Sequence, residues 1–164
     1  VDVNNPNVNL INPTISEKDQ RIADQALEHR FYVKGFAESL DEVTKLETYY
    51  SFYDASAKKI DWNANEDKQK KEQEFRYQLH RHQWMLPQAK AYRISKDEKY
   101  IQSWIEAYGS WIETFPYTPG TIFPPAGGSE NDVDYQWKGL QVAERVLSQV
   151  DIMPYFIHST NFTT

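Results

Sequence analysis

The chain has no cysteine, which excludes disulfides, thiolate metal sites and a cysteine nucleophile. No stretch approaches the roughly 20 consecutive apolar residues of a membrane-spanning helix. No amino-terminal segment has the layout of a secretory signal, and the start at Val1 without a methionine suggests a mature or trimmed product. Also missing are a Gly-x-Ser-x-Gly elbow, a phosphate loop and a dinucleotide fingerprint. No repeat recurs at 30 to 45 residues, which weakens a helical solenoid. A net charge of −6 argues against general nucleic-acid binding.

Aromatic side chains, by contrast, are abundant. Five Trp, 11 Tyr and 8 Phe make up 15% of 164 residues, enough for one modest domain with a wide core. They would also suit a surface that stacks on flat ligands such as sugar rings. The acidic average hides a contrast, because residues 68 to 99 hold nine Lys or Arg against four acids, a local +5. Such a segment is either an anionic-ligand surface or a solvated helix face.

Residues 1–15, rich in Asn and Pro, are expected to form an extended arm, with one helical domain over 16–164. Ser16 followed by Asp19 resembles an N-cap, and Ile22, Ala23, Ala26 and Leu27 follow at helical spacing. The segment "SLDEVTKLETYYSFY" has a poor helical period, and "SAKKIDWNANED" reads as loop. Three strong helices are predicted at about 67–94, 97–115 and 132–152. The second is one-sided: Tyr100, Ile101, Trp104, Ile105, Tyr108, Trp111, Ile112 and Phe115 share an arc of about 140°. The third is apolar nearly all round, leaving a narrow strip of Asp134, Lys138, Gln141, Arg145 and Ser148. That pattern predicts burial on both flanks. One-sided and two-sided helices together suggest two helical layers and an all-α fold.

"QLHRHQWMLP", residues 78 to 87, holds two of the four histidines. On one continuous helix His80 and His82 lie about 200° apart and cannot converge on a metal ion. His82 falls among Phe75, Leu79, Leu86 and Ala89, which predicts a buried, hydrogen-bonded core histidine. Gln78, Arg81 and Gln88 form a polar strip, suited to a ligand or, for Arg81, to an inter-helix salt bridge. Pro87 is expected to kink the helix. His29 and His158 have no evident partners, and Glu72 with Glu74 reads as a solvated pair. No metal or cofactor site and no self-contained catalytic set emerges.

The segment "EFRYQLHRHQWMLPQAKAYRISKDEKYIQSWIEAYGSWIETFP", at 74–116, resembles the amino-terminal helical region of the heparinase II/III family. It is most similar to the heparan-sulfate lyase branch. "KAYR", "DEKY", the Trp104 and Trp111 helix, and Trp137 to Arg145 carry the resemblance, with "NLINPTISEKDQRIADQALEHRF" and Asp61–Trp62 upstream. The resemblance implies the amino-terminal portion of an incomplete α/α toroid, with inner and outer helices, preceding a β-sandwich in a periplasmic or secreted bacterial enzyme. It implies β-elimination at a uronate of an acidic polysaccharide. The family's catalytic Asn, Tyr and His lie beyond the matched segment, so no catalytic residue is carried over. This chain alone would then be inactive. Arg81, His82, Trp137 and Arg145 fall in matched motifs and are expected to line or support the substrate cleft. Where the heparan-sulfate lyase pattern carries Asn before the last Arg, this chain has Glu144, an acid that would repel sulfate. Without the rest of a toroid, the chain is expected to expose apolar surface and to self-associate. The alternatives are a non-catalytic helical module that binds a glycan or protein, and a purely structural helical domain.

Overall fold

A computed structural model describes residues 14–33, 48–117, 119–120 and 135–162. Helix α1 (Glu17–Leu27) starts where Ser16 Oγ accepts from the Asp19 backbone N–H at 3.0 Å, with Glu17 and Asp19 in the positively polarised first turn. It leads into β1 (Arg30–Tyr32), which pairs antiparallel with β2 (Tyr49–Ser51), Phe31 opposite Tyr50. A second small sheet joins β3 (Tyr53–Asp54) to β4 (Lys59–Ile60). The chain is therefore mostly helical with two small sheets, not purely α, and the segment read as loop supplies the second strand of a hairpin. Its turn is made by Asp54, whose Oδ1 accepts from the backbone N–H groups of Ser56 at 2.8 Å and Ala57 at 3.0 Å. Periodicity misses strands of two or three residues because they show no full alternation.

The helix expected over 67–94 is broken twice. It comprises α2 (Glu66–Lys71), α3 (Gln73–His80), a 3-10 turn at Gln83–Met85, and α4 (Leu86–Ser95). At the second break His82 takes the left-handed conformation, φ 62°, and so ends the phase of α3. Pro87 does not kink a running helix. It lies in the first turn of α4, where its missing N–H costs nothing. Helix α5 (Lys99–Thr114) stands close to its predicted bounds. The last helix begins later than expected: Tyr135–Trp137 form a 3-10 turn and α6 spans Gly139–Phe156, running through Pro154. Residues 1–13 of the expected arm and 39–47 of the poorly periodic segment lie outside the described residues.

Helix α4 is central, packed against α1, α5 and α6. Around it lies a core rich in rings, including Phe31, Phe52, Trp62, Phe75, Trp84, Trp104, Trp111 and Phe156. Phe31 stacks on Trp84 at 4.1 Å between centroids and on Trp62 at 5.6 Å, so the small sheet is fastened to the helices through aromatic contact. Most of the aromatic excess is thus core.

Helix α6 departs most from its wheel. It buries Gln141, Arg145, Ser148 and Gln149 with Ile152 and Phe156, whereas Leu140, Leu147 and Val150 are each 60% exposed and Val146 54%. The polar strip, not an apolar flank, faces the domain, and burial on both flanks is absent.

Candidate functional site

The break at His82 decides the local geometry. On an unbroken helix the two histidines would diverge, but the left-handed residue swings His82 back toward the same neighbour as His80. Both rings pack against Trp111 of α5, His80 at 6.2 Å and His82 at 4.9 Å between centroids, each edge-on. The expected opposition of the pair is therefore corrected, because the wheel assumed a continuous α3–α4 helix. Among the described residues no three of His, Asp or Glu are grouped to hold a metal ion.

Hydrogen bonds fix both imidazoles. The Trp111 Nε1–H donates to His80 Nδ1 at 3.0 Å, and since an indole only donates, the His80 proton sits on Nε2. The Trp104 Nε1–H donates to Gln149 Oε1 at 3.1 Å, which orients that amide and turns its Nε2 toward His82 Nδ1 at 3.2 Å. His82 Nδ1 is then the acceptor and Nε2 carries the proton, without a hydrogen-bond partner among the described residues. Burial, reinforced by Arg145, holds His80 at about 3 and His82 well below the ordinary imidazole value, so both are neutral. His82 is wholly buried, as its place among Phe75, Leu79 and Ala89 led one to expect.

Arg145 completes the cluster from α6. Its Nη1 donates to the His80 carbonyl at 3.0 Å, and its guanidinium lies 4.2 Å from the Trp111 centroid and 5.1 Å from that of Trp137. No carboxylate among the described residues forms an ion pair with it. Burial lowers Arg145 to about 10, which leaves it charged at neutral pH. Two ring faces and a carbonyl thus replace a counter-ion, with delocalised charge making Arg suited to that role. Trp137 is half-buried, 5.7 Å from Trp111 and 5.2 Å from the exposed Tyr117.

Of the four residues expected to line or support a cleft, His82, Trp137 and Arg145 converge on Trp111. Arg81 does not. Its Nε donates to Gln141 Oε1 at 2.7 Å and its Nη1 to Glu74 Oε1 at 3.0 Å, tying α3 to α6. The ion pair stays within the α3 region, and the inter-helix link is a hydrogen bond to an amide. The remaining strip residues are also engaged: Gln88 is buried with Nε2 on Ser103 Oγ at 2.7 Å, and Gln78 bonds Glu74 at 2.8 Å. Glu144 accepts from Gln83 Nε2 at 3.0 Å. Trp111, His80, Gln141 and Gln149 were missed as site residues. Trp111 carried a signal, in the apolar arc of the best-formed amphipathic helix, and Gln141 one in the polar strip it shares with Arg145; Gln149 carried none.

A broken helix, an arginine seated between two tryptophans, and a neutral histidine pair define one assembly along the whole helical core. Across residues 1–164 the sequence matches the family model described as Heparinase II/III N-terminus, and the chain belongs to that family. In particular, it is 46% identical over 162 residues to a heparin-sulfate lyase of Bacteroides thetaiotaomicron, covering 98% of this chain and 20% of that protein. A heparin-sulfate lyase of Bacteroides stercoris is 32% identical, covering 98% of this chain and 23% of the relative. Among solved structures, a crystal structure of heparinase III superposes with a TM-score of 0.71 at 45% identity, over 99% of this chain and 22% of that one. The heparan sulfate lyase of Pedobacter heparinus gives a TM-score of 0.66 at 28% identity, over 92% of this chain and 20% of that structure. The chain spans about a fifth of the length of these relatives.

Proposed function

We propose that this chain is the amino-terminal helical part of a polysaccharide lyase that cleaves heparan sulfate, or another uronate-containing glycosaminoglycan, by β-elimination. The observation that carries the reading is the 46% identity to a heparin-sulfate lyase along nearly the entire chain. In this reading the described helices form the opening part of an α/α toroid. The apolar outer face of α6 meets helices that complete it, and the whole enzyme is periplasmic or secreted. In this reading Arg81, His82 and Arg145, each hydrogen-bonded within the domain, support the cleft wall from behind, and Trp137 touches sugar.

In this reading neither His80 nor His82 is the base that abstracts the proton α to the uronate carboxylate, since both rings are packed in the core. A full-length parent incubated with heparan sulfate should therefore generate the ultraviolet absorbance of an unsaturated uronate, and the 164-residue chain should generate none. Absence of that signal from the parent on heparan sulfate and on other uronate polysaccharides would end the lyase reading. Salt-sensitive glycan binding by a parent that turns over none of them would favour a non-catalytic binding module instead.

A further inference from the structure

The β1–β2 sheet has two faces of different character. Inward it presents Phe31 and Tyr50; outward it presents Arg30 opposite Ser51 and Tyr32 opposite Tyr49. Past Phe52, which points into the core, Tyr53 continues the outward row and is 39% exposed. Three tyrosine rings therefore stand on the solvent side of these short strands. Tyr32 and Tyr49 lie 6.4 Å apart between centroids, and Tyr53 stacks on His29 at 4.5 Å. From Tyr49 to Tyr53 the extended chain covers about 13 Å, enough for a short oligosaccharide.

Charge is graded along the row. At the Tyr32 end, Lys18 Nζ donates to the Tyr32 hydroxyl at 3.3 Å and lies 4.9 Å from the ring centroid. Arg30, two residues from Tyr32 on the same face, is exposed. Neither Lys18 nor Arg30 forms an ion pair with a carboxylate among the described residues. The acids stand at the other end, where Glu106 Oε1 lies 2.9 Å from His29 Nε2 and Glu28 closes α1. In a chain of net charge −6 the Tyr32 end is thus a local cationic spot, bordered by ring faces. That combination complements a polymer with apolar ring faces and repeated negative groups. We propose that the outward face of this sheet is a binding strip for an anionic polysaccharide, with an anionic group between Lys18 and Arg30 and a neighbouring sugar ring on Tyr53. The strip is separate from Trp137, which packs on Trp111 of α5. It takes its ligand class from the lyase reading, and either can fail alone.

The test is an NMR titration of the 164-residue chain with a heparan sulfate hexasaccharide and with neutral maltohexaose, following tyrosine ring and tryptophan indole protons. The anionic sugar should bind saturably, shift the Tyr32, Tyr49 and Tyr53 rings, and bind about tenfold tighter than the neutral one. Arg30→Ala and Tyr53→Ala alter exposed side chains and should leave the circular dichroism unchanged. Each should nevertheless weaken the hexasaccharide by about threefold or more. Tyr53→Phe, which keeps the ring, should bind within about twofold of wild type. Shifts confined to the Trp137 indole, binding unmoved by both alanine variants, or equal binding of maltohexaose would each overturn the proposal. So would equally tight binding of poly-glutamate, because the rings would then add nothing. Lyase turnover of the full-length parent is read separately. An active parent with an unresponsive strip rejects this site and spares the enzyme reading, and an inactive parent with a strip that binds does the reverse.

Discussion

Helices α5 and α6 are the two longest among the described residues, and they use their faces in opposite ways. Helix α5 buries Tyr100, Ile101, Trp104, Ala107 and Trp111 on its apolar side and leaves Ile105 and Ile112, at one edge of the arc, exposed. Helix α6 buries an arginine, three glutamine or serine side chains and two apolar residues, and turns leucines and valines outward. The difference is one of compensation. Polar groups face inward on α6 because each finds a specific partner: Arg81 for Gln141, the His80 carbonyl for Arg145, Trp104 and His82 for Gln149. Buried polar groups are tolerated when satisfied, and such a network fixes one register between helices. An amphipathic pattern therefore reports where a helix meets apolar neighbours, not which side of it meets this domain.

The comparison breaks most severely at Trp111, where the two helices meet. Its ring contacts both histidines, Arg145, Phe115 and Trp137. Trp111→Ala removes that packing, leaves His80 Nδ1 without its donor and uncovers the Arg145 charge. A loss of about 3–5 kcal/mol in urea unfolding is expected. A loss below about 1 kcal/mol would show that the α5–α6 junction is not the centre of stability.

Acid titrates the same junction without a mutation. An unfolded histidine takes a proton near pH 6.5, whereas His80 stays neutral in the fold down to about 3. His82 is displaced in the same direction. Between those values the unfolded chain binds more protons, so stability falls as the pH drops and is fully present only above about 6.5. From pH 7 to pH 5 the buried His80 imidazole should remove about 2 kcal/mol, and His82 acts in the same direction. The carboxyl groups held low, Glu98 by Ser159 and Asn161 and Asp54 by Ser56, act only at lower pH. His80→Gln should reduce the loss between pH 7 and 5 by about 2 kcal/mol. An unchanged slope would mean that His80 is not kept neutral by the fold.

These two tests also mark how far the sequence could be read. The Ser16 cap, the α5 helix and the burial of His82 were legible, because each depends on residues within one or two turns of the chain. The break at His82 was not. Nothing in "QLHRHQWMLP" demands a left-handed histidine, and Pro87 signals a helix start as readily as a kink. The inward polar face of α6 was illegible for a related reason. Its partners lie 45 to 67 residues away in the chain, so local pattern assigns its polar strip to solvent by default. Arg145 and Trp137 were singled out through family resemblance, and Trp111, which joins them, was visible only as a core position.

The outward face of α6 offers the smallest effect on stability and the cleanest contrast with Trp111. Leu140, Val146, Leu147 and Val150 lie on one side of the helix, exposed, with Glu144 and Asp151 bordering them. Apolar side chains already in water contribute little to folding, so Leu147→Glu with Val150→Glu should change unfolding free energy by no more than about 0.5 kcal/mol. The same pair should change association. A contiguous apolar stripe on a three-turn face is the kind of surface that pairs with another in solution. Sedimentation of the wild-type chain is expected to show concentration-dependent oligomers that the double variant loses. If the variant instead unfolds, α6 packs inward on its apolar side and the polar-inward arrangement is wrong. If both proteins sediment as monomers, the exposed stripe is tolerated by the isolated chain, and the expectation of self-association fails while the contrast between the two helices stands.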